Sequence, residues 1–306
     1  MNTRPPSCTS DWLRAGSKLN LYLHINARRP DGYHELQTFF ELLDYGDELR
    51  VDTGHPDIRI DWVAGDEPIT GRPDNPHHDL LYRTAQRLRD TARRLDQTSP
   101  DRPLGAHVTL RKNLPVGGGL GGGSAAAACL LQHLNRAWGL GLPVDSLARI
   151  GLELGADVPV FVGGQSATAH GVGEQLNPGV APHTSGIYLV VVPRVSSPTT
   201  NLFAAPTLRR DLPKQPDAPL LSHWREEGIN VFESVVLANH PALGALLDDL
   251  RAETGFARMT GSGACLFAPV ESETQARRMA EKLAGRHGIW RRHFVARRPA
   301  VGKSAS

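Results

Sequence analysis

The sequence predicts an α+β fold in two domains, and three observations carry that prediction. Strand-like and helix-like patterns follow one another without the regular alternation of a doubly wound sheet. The chain is 306 residues long, which most simply makes two domains of ordinary size. Between Gly117 and Gly123 only Leu120 interrupts a run of glycines, and that run leads straight into Ser124 and four alanines, the signature of a tight loop opening a helix.

Taken in order, Met1 to Ser10 is polar, contains Pro5-Pro6 and lacks the apolar core of a signal peptide. Leu19, Leu21, Leu23 and Ile25 alternate with Asn20, Tyr22 and His24, the period of a half-buried strand. Asp47 to Asp52 and Ile58 to Trp62 read as further strands about the turn Gly54-His55-Pro56. Leu80, Leu81, Ala85, Leu88 and Leu95 recur at helical spacing with arginines opposite, which describes a helix with a solvated face. His107 to Leu110 is strand-like. Behind the glycines, Ser124 is the expected N-cap, the alanines favour helix most strongly, and Gly139 after Trp138 is the expected stop.

Leu147, Ile150 and Leu154 predict an amphipathic helix from near Asp145 to Gly155, and Asp157 then occupies a tight turn into a short apolar strand over Val158 to Val162. A second half begins at the strand Tyr188 to Val192. Ala204 to Pro219, with Pro206, Pro213 and Pro216 among charges, reads as a long surface loop. Leu243, Leu246, Leu247 and Leu250 mark a helix, and Cys265 to Val270 a strand entered through Gly261-Ser262-Gly263. Val301 to Ser306 reads as a disordered tail.

Composition excludes several classes of function. Lys and Arg number 34 against 32 Asp and Glu, so no charge excess points to nucleic acid or an anionic membrane, and any anion site is local. Cys8, Cys129 and Cys265 are far apart and odd in number, which argues for a reducing compartment and against a disulfide framework or a zinc site. No stretch approaches the length of a membrane span. A soluble cytoplasmic protein is expected.

The glycine run is the residue pattern of a phosphate cradle. Without Cβ atoms the loop can bring several N–H groups up to an anion, and the helix behind it offers unpaired N–H groups and the positive end of its dipole. Gly117, Gly119 and Gly122 also satisfy the dinucleotide pattern G-x-G-x-x-G, but Arg111 to Pro115 separates them from the preceding strand. A Walker loop fails because Ser124 stands where the lysine belongs. A flexible linker, the remaining reading, would lack Leu120 and the helix start.

Two ionisable residues stand in unusually apolar settings, Lys18 before the first strand and Asp157 beside Val158-Pro159-Val160. Alone, Lys18 reads as a surface lysine at a strand end and Asp157 equally well as a turn cap. Beside a phosphate cradle they form phosphoryl-transfer machinery: the carboxylate can accept a hydroxyl proton, and the ammonium can hold it ionised and stabilise the alkoxide.

At this point the chain resembles the GHMP kinases. Lys18-Leu19-Asn20-Leu21 is similar to the family's first motif, Leu114 to Ser124 to its ATP-phosphate motif, and Leu154 to Phe161 to the segment bearing the base. Thr260-Gly261-Ser262-Gly263-Ala264-Cys265 is similar to the third glycine motif. Arg29 to Thr38, with Leu43-Asp44-Tyr45-Gly46-Asp47, resembles a block found in those members that act on an alcohol carrying cytidine diphosphate. The resemblance implies a two-domain kinase, an ATP-binding domain over residues 1–165 and a substrate domain over 166–306, that uses ATP and Mg²⁺. It implies Lys18 and Asp157 as the catalytic pair. Pro115, Val116, Gly117, Gly118, Gly119, Leu120, Gly121, Gly122, Gly123, Ser124 and Ala125 are then the ATP site. Tyr33 and His34 are implied to stack on and hydrogen-bond a cytosine, with Asn20 and Thr199 in the same pocket. No metal ligand is implied.

Other members of the family, of homoserine or mevalonate type, and a catalytically silent nucleotide-binding module are the alternatives. The chain departs from the family pattern at Gly16-Ser17, where proline and alanine are usual, and at Ala125-Ala126, where a serine and an asparagine are usual. Asp79 replaces an asparagine of the adenine region, and Val231 replaces an aspartate. These touch nucleotide and metal binding rather than the catalytic pair.

Overall fold

The computed structural model describes residues 8–96, 103–179, 181–195 and 199–300, so the readings of the first seven residues and of the tail from Val301 lie outside it. A seven-stranded sheet comprises β1 (Cys8–Thr9), β2 (Leu13–Arg28), β3 (His34–His55), β4 (Ile58–Ala64), β5 (Gly105–Lys112), β6 (Ala167–Gly171) and β7 (Gln175–Pro178). Its spine is the hairpin of β2 and β3, 16 and 22 residues long. The strands expected at residues 19–25 and 47–52 are parts of these two. All pairings are antiparallel except β4 on β5.

A hairpin this long must bend, and it does so at register shifts, one of them between Asn20 and Leu23. Because side chains alternate with a period of two, one inserted residue exchanges the faces. Leu19, Leu21 and Tyr22 therefore enter a core shared with Tyr188, Val190 and Phe267, whereas Leu23 and Ile25 enter a different core with Leu189, Val191 and Phe232.

One face of the first sheet is covered by α1 (Leu80–Arg94), α2 (Gly122–Ala137), α3 (Val144–Leu154) and α4 (Val158–Gly163). The apolar run 158–162, expected as a strand, is helix α4. Six residues are too few for periodicity to distinguish the two forms. Pro159 sits in the first turn, where its ring is tolerated, and Gly164 closes the helix at φ +66°.

The second sheet, in the order β11 (Trp290–Arg297), β8 (Ile187–Pro193), β10 (Leu266–Val270), β9 (Arg258–Met259), is antiparallel throughout. The chain between its strands forms α5 (Thr199–Ala204), α6 (Asp217–Ser222), α7 (Val231–Asn239), α8 (Pro241–Thr254) and α9 (Glu273–Ala284). The proline-rich stretch expected as a loop ends in α6, and its irregular part is pinned. The Arg210 guanidinium donates to the carbonyls of Phe203, Ala205 and Leu208, and Gln37 exchanges hydrogen bonds with the Gln215 backbone.

His24 is buried against the second half of the chain, its Nε2 accepting from the Ile229 N–H at 3.1 Å. Burial, with Arg258 and Arg209 nearby, pushes its pKa down from 6.5 to about 4. Between those values the unfolded chain takes up a proton that the folded chain refuses, so stability falls as pH drops from 6.5 towards 4. Urea midpoints measured across this range should fall less steeply in His24→Gln, whose amide oxygen can still accept from Ile229. Equal slopes would dismiss this histidine as a cause.

Candidate active site

Residues from β2, the glycine loop, the turn before α4 and the turn at Gly261 line a single cavity of about 880 Å³. The loop is shaped by backbone that only glycine adopts easily. Gly121, at φ +70°, is the N-cap of α2, and Ser124 is the third residue of the helix rather than its cap. Position 121 has little room for a side chain: a Cβ there would come within 3.1 Å of both the Lys18 Cγ and the Phe161 ring. The first-turn N–H groups of α2 have no acceptor within the helix, and Gly122, Gly123 and Ser124 line the cavity. Ala125 does not join them, since its N–H donates to Gly121 O at 2.9 Å and its methyl is buried in the core.

Lys18 is tied to this loop through its own backbone, its N–H donating to Leu120 O at 2.9 Å. Its ammonium donates to Asn20 Oδ1 and lies 3.5 Å from Asp157 Oδ2. The lysine side chain is 5 % exposed and the aspartate 31 %, so the carboxylate is the member of the pair that opens to the cavity. Although Asp157 precedes α4, its side chain accepts no N–H from that helix, and the turn-cap reading is not what the structure shows. Both its oxygens are thereby left to the lysine and the cavity.

The turn at Gly261 closes the wall behind the ammonium. A Cβ on Gly261 would fall 2.7 Å from Gly119 O and 3.1 Å from Lys18 Nζ, so the two glycine turns meet backbone to backbone. Asn230 holds this turn: its Nδ2 donates to Met259 O and Gly261 O, while its Oδ1 caps α7 through the Phe232 N–H. Sequence reasoning noted only the neighbouring Val231, which is buried. An asparagine at a helix start was the available signal.

At one end of the cavity, Tyr33 stands 64 % exposed on the β2–β3 turn. His34 stacks on Phe203 with ring centroids 4.9 Å apart and planes at 25°. Its Nε2 is buried and has no hydrogen-bond partner among the described residues. Burial, then Arg210 and Arg28, holds its imidazole below the ordinary histidine pKa. Thr199 opens α5, and its side chain lies outside the described residues.

The other end is walled by Trp62, Asp79, Leu81 and Lys112. Asp79 caps α1 through the Leu81 N–H and accepts from the Trp62 indole, both at 2.8 Å. Lys112 pairs with the fully buried Asp47, whose Oδ1 also accepts the N–H groups of Asn113 and Leu114 at 2.8 and 2.9 Å. This anchor for the loop's approach was missed in sequence, where Asp47 read as a strand residue and as the end of the block from Leu43, with no partner assigned to it. Among the described residues no cluster of three His, Cys, Asp or Glu could hold a metal ion, and no helix is long and apolar enough to cross a membrane.

Residues 79–165 match the GHMP kinases N terminal domain and residues 209–289 the GHMP kinases C terminal region. The 4-diphosphocytidyl-2-C-methyl-D-erythritol kinase of Aromatoleum aromaticum is 42 % identical over 288 residues, 94 % of each chain. The enzyme of the same name from Alkalilimnicola ehrlichii is 46 % identical over 271 residues, 88 % of this chain and 86 % of that one. A crystal structure of 4-(cytidine 5'-diphospho)-2C-methyl-D-erythritol kinase superposes with a TM-score of 0.73 at 30 % identity, covering 94 % of this chain and 98 % of the other.

Proposed function

The chain belongs to the GHMP kinase family, and from that premise we propose that it transfers the γ-phosphoryl group of ATP to the 2-hydroxyl of 4-diphosphocytidyl-2-C-methyl-D-erythritol. The observation that carries this reading is the 3.5 Å approach of Lys18 Nζ to Asp157 Oδ2 in a cavity that also holds the glycine loop and the Tyr33-His34 turn. The acceptor for which these relatives are named supports the choice of acceptor here.

In the proposed mechanism the ATP phosphates lie against residues 115–124 and the first-turn N–H groups of α2, with the base towards Trp62 and Asp79. The acceptor's cytosine lies at Tyr33 and His34, whose unpartnered Nε2 is suited to a hydrogen bond from or to the base. Asp157 takes the proton of the acceptor hydroxyl as that oxygen bonds to the γ-phosphorus. The bond from phosphorus to the bridging oxygen breaks, and its electron pair leaves with ADP. Lys18 offsets the negative charge on the attacking oxygen.

Mg²⁺ fits this site as an ion carried on the ATP phosphates. Ser124 offers a hard oxygen donor beside the loop, and Gly155 passes close to its hydroxyl, a Cβ there falling 3.6 Å from it. Bound there, Mg²⁺ would supply neutralisation of the phosphate charge. Division of the chain near residue 165 into ATP-binding and acceptor-binding domains is part of the same proposal, although β6 and β7 complete the first sheet from beyond that point. Thr199 remains a proposed acceptor contact.

Incubation with ATP and 4-diphosphocytidyl-2-C-methyl-D-erythritol should release ADP and a product carrying one further phosphate. ADP release with homoserine or mevalonate alone would transfer the substrate assignment to another branch of the family. ATP, and not NAD, should raise the thermal unfolding temperature, since only a ligand of the folded state stabilises it. A silent nucleotide module would show that shift without turnover of any alcohol. His34→Ala should raise the acceptor KM about tenfold, the loss of one buried hydrogen bond and a stacking surface, with the ATP KM unchanged.

A further inference from the structure

We infer that Thr38 is a positioning residue for phosphoryl transfer, because it fixes which end of the Asn20 amide faces the Lys18 ammonium. The inference rests on the reading of Lys18 and Asp157 as the catalytic pair.

Thr38 lies on β3 and is 1 % exposed; Asn20 lies on β2 and is equally buried. The Thr38 hydroxyl has one proton, and it is committed to the Tyr22 carbonyl oxygen, 2.5 Å away, which has none to give. The hydroxyl oxygen can then only accept from a second neighbour. That neighbour is Asn20 Nδ2, at 2.8 Å. The amide nitrogen is therefore held towards Thr38, and the amide oxygen is left pointing at Lys18 Nζ, to which it is hydrogen-bonded. An ammonium has only protons to offer, so the opposite amide orientation would set an NH₂ group against NH₃⁺. Tyr22 O, Thr38, Asn20 and Lys18 thus form one directional chain. It ends on the ammonium that sits 3.5 Å from Asp157. The Asn20 backbone is fixed separately, its N–H donating to Thr260 Oγ1 at 2.9 Å, so the side-chain amide is the part that Thr38 decides.

Thr38→Val keeps the shape and removes the hydroxyl, while Thr38→Ser keeps the hydroxyl. In the valine variant the Asn20 amide loses its orienting partner, and displacement of the ammonium should lower kcat about 10- to 100-fold, the cost of a small misplacement at a reacting centre. The ATP KM should stay unchanged, and the serine variant should recover most of the turnover. In an Asn20→Ala background the valine substitution should have no further effect, because Thr38 acts through Asn20. Independently of activity, the Asn20 side-chain amide in a ¹⁵N spectrum should give two slowly exchanging proton signals in the wild type and a fast-exchanging pair in Thr38→Val.

Unchanged amide signals in the valine variant would overturn the lock, whatever the turnover. Released signals with wild-type kcat would overturn its part in catalysis. Effects of the two substitutions that simply add would assign Thr38 a direct contact with the acceptor instead. If the wild-type chain turns over no alcohol at all, the kinase reading fails, and the amide spectrum still decides whether Thr38 orients Asn20.

Discussion

Asp157→Asn is expected to lower kcat by about 10²- to 10⁴-fold, the contribution of a positioned base, while ATP affinity stays within about twofold of wild type. The substitution keeps the size and shape of the side chain and removes its capacity to take a proton. It also removes the counter-charge of Lys18, but the ammonium keeps its hydrogen bond to Asn20 Oδ1 and its place 5.5 Å from the centre of the Phe40 ring. The side chain is 31 % exposed and caps no helix, so the fold should stand. Coupled ADP release and calorimetric titration with ATP measure the two quantities separately. Turnover near the wild-type rate would remove Asp157 from the mechanism, and loss of ATP affinity in step with kcat would make it a nucleotide ligand instead.

Gly119→Ala is expected to abolish turnover and weaken ATP binding more than any other alanine substitution in the loop. Gly119 has φ +78°, and a Cβ there would sit 2.1 Å from Thr260 O and 3.0 Å from Gly263 N. Those are backbone atoms of a turn held by Asn230, so they cannot swing aside as a side chain could. The loop must shift instead. Its next residue, Leu120, bonds the Lys18 N–H, so the displacement reaches the catalytic pair, where misplacement by about 1 Å costs on the order of a hundredfold in rate. Gly117→Ala is the control. Its φ is +71°, but nothing lies within 4 Å of the added carbon, so it carries only the left-handed strain of about 1–2 kcal/mol. Comparing the two variants by thermal unfolding and ATP titration separates steric collision from backbone strain; equal effects would show that the contact between the glycine turns is not rigid.

The stretches at 80–95 and 107–110 were legible in the sequence because one face of each is buried and the other is not, and 188–192, buried on both faces, because it is a short unbroken run of apolar, mostly β-branched residues. The glycine run was legible too, since Gly117, Gly119 and Gly121 take positive φ, backbone that other residues adopt only under strain. Two errors have a common origin in short range. Val158 to Val162 is apolar on every side, so its pattern carries no period, and only tertiary packing selects the helix. Ser124 has the right chemistry for a cap, but the helix starts two residues before it, at Gly122, and the crowding that keeps the capping position a glycine comes from Lys18 and Phe161, residues distant in sequence. The contacts that hold the site, Asp47 with Lys112 and Asn230 with the Gly261 turn, span 65 and 31 residues and leave no local trace.

The register shift between Asn20 and Leu23 bears on how this enzyme could be recombined with its relatives. Leu23 and Ile25 belong by sequence to the amino-terminal half but pack in the core of the carboxy-terminal one, and Leu23 also bridges to Asn230. The two regions matched separately, 79–165 and 209–289, are therefore not exchangeable cassettes. A chimera that imports residues 209–289 from a relative inherits a core shaped for that relative's second half of β2. Such hybrids should express as folded protein only when residues 22–26 are imported with it, a rule that a small panel of crossovers would check by soluble yield.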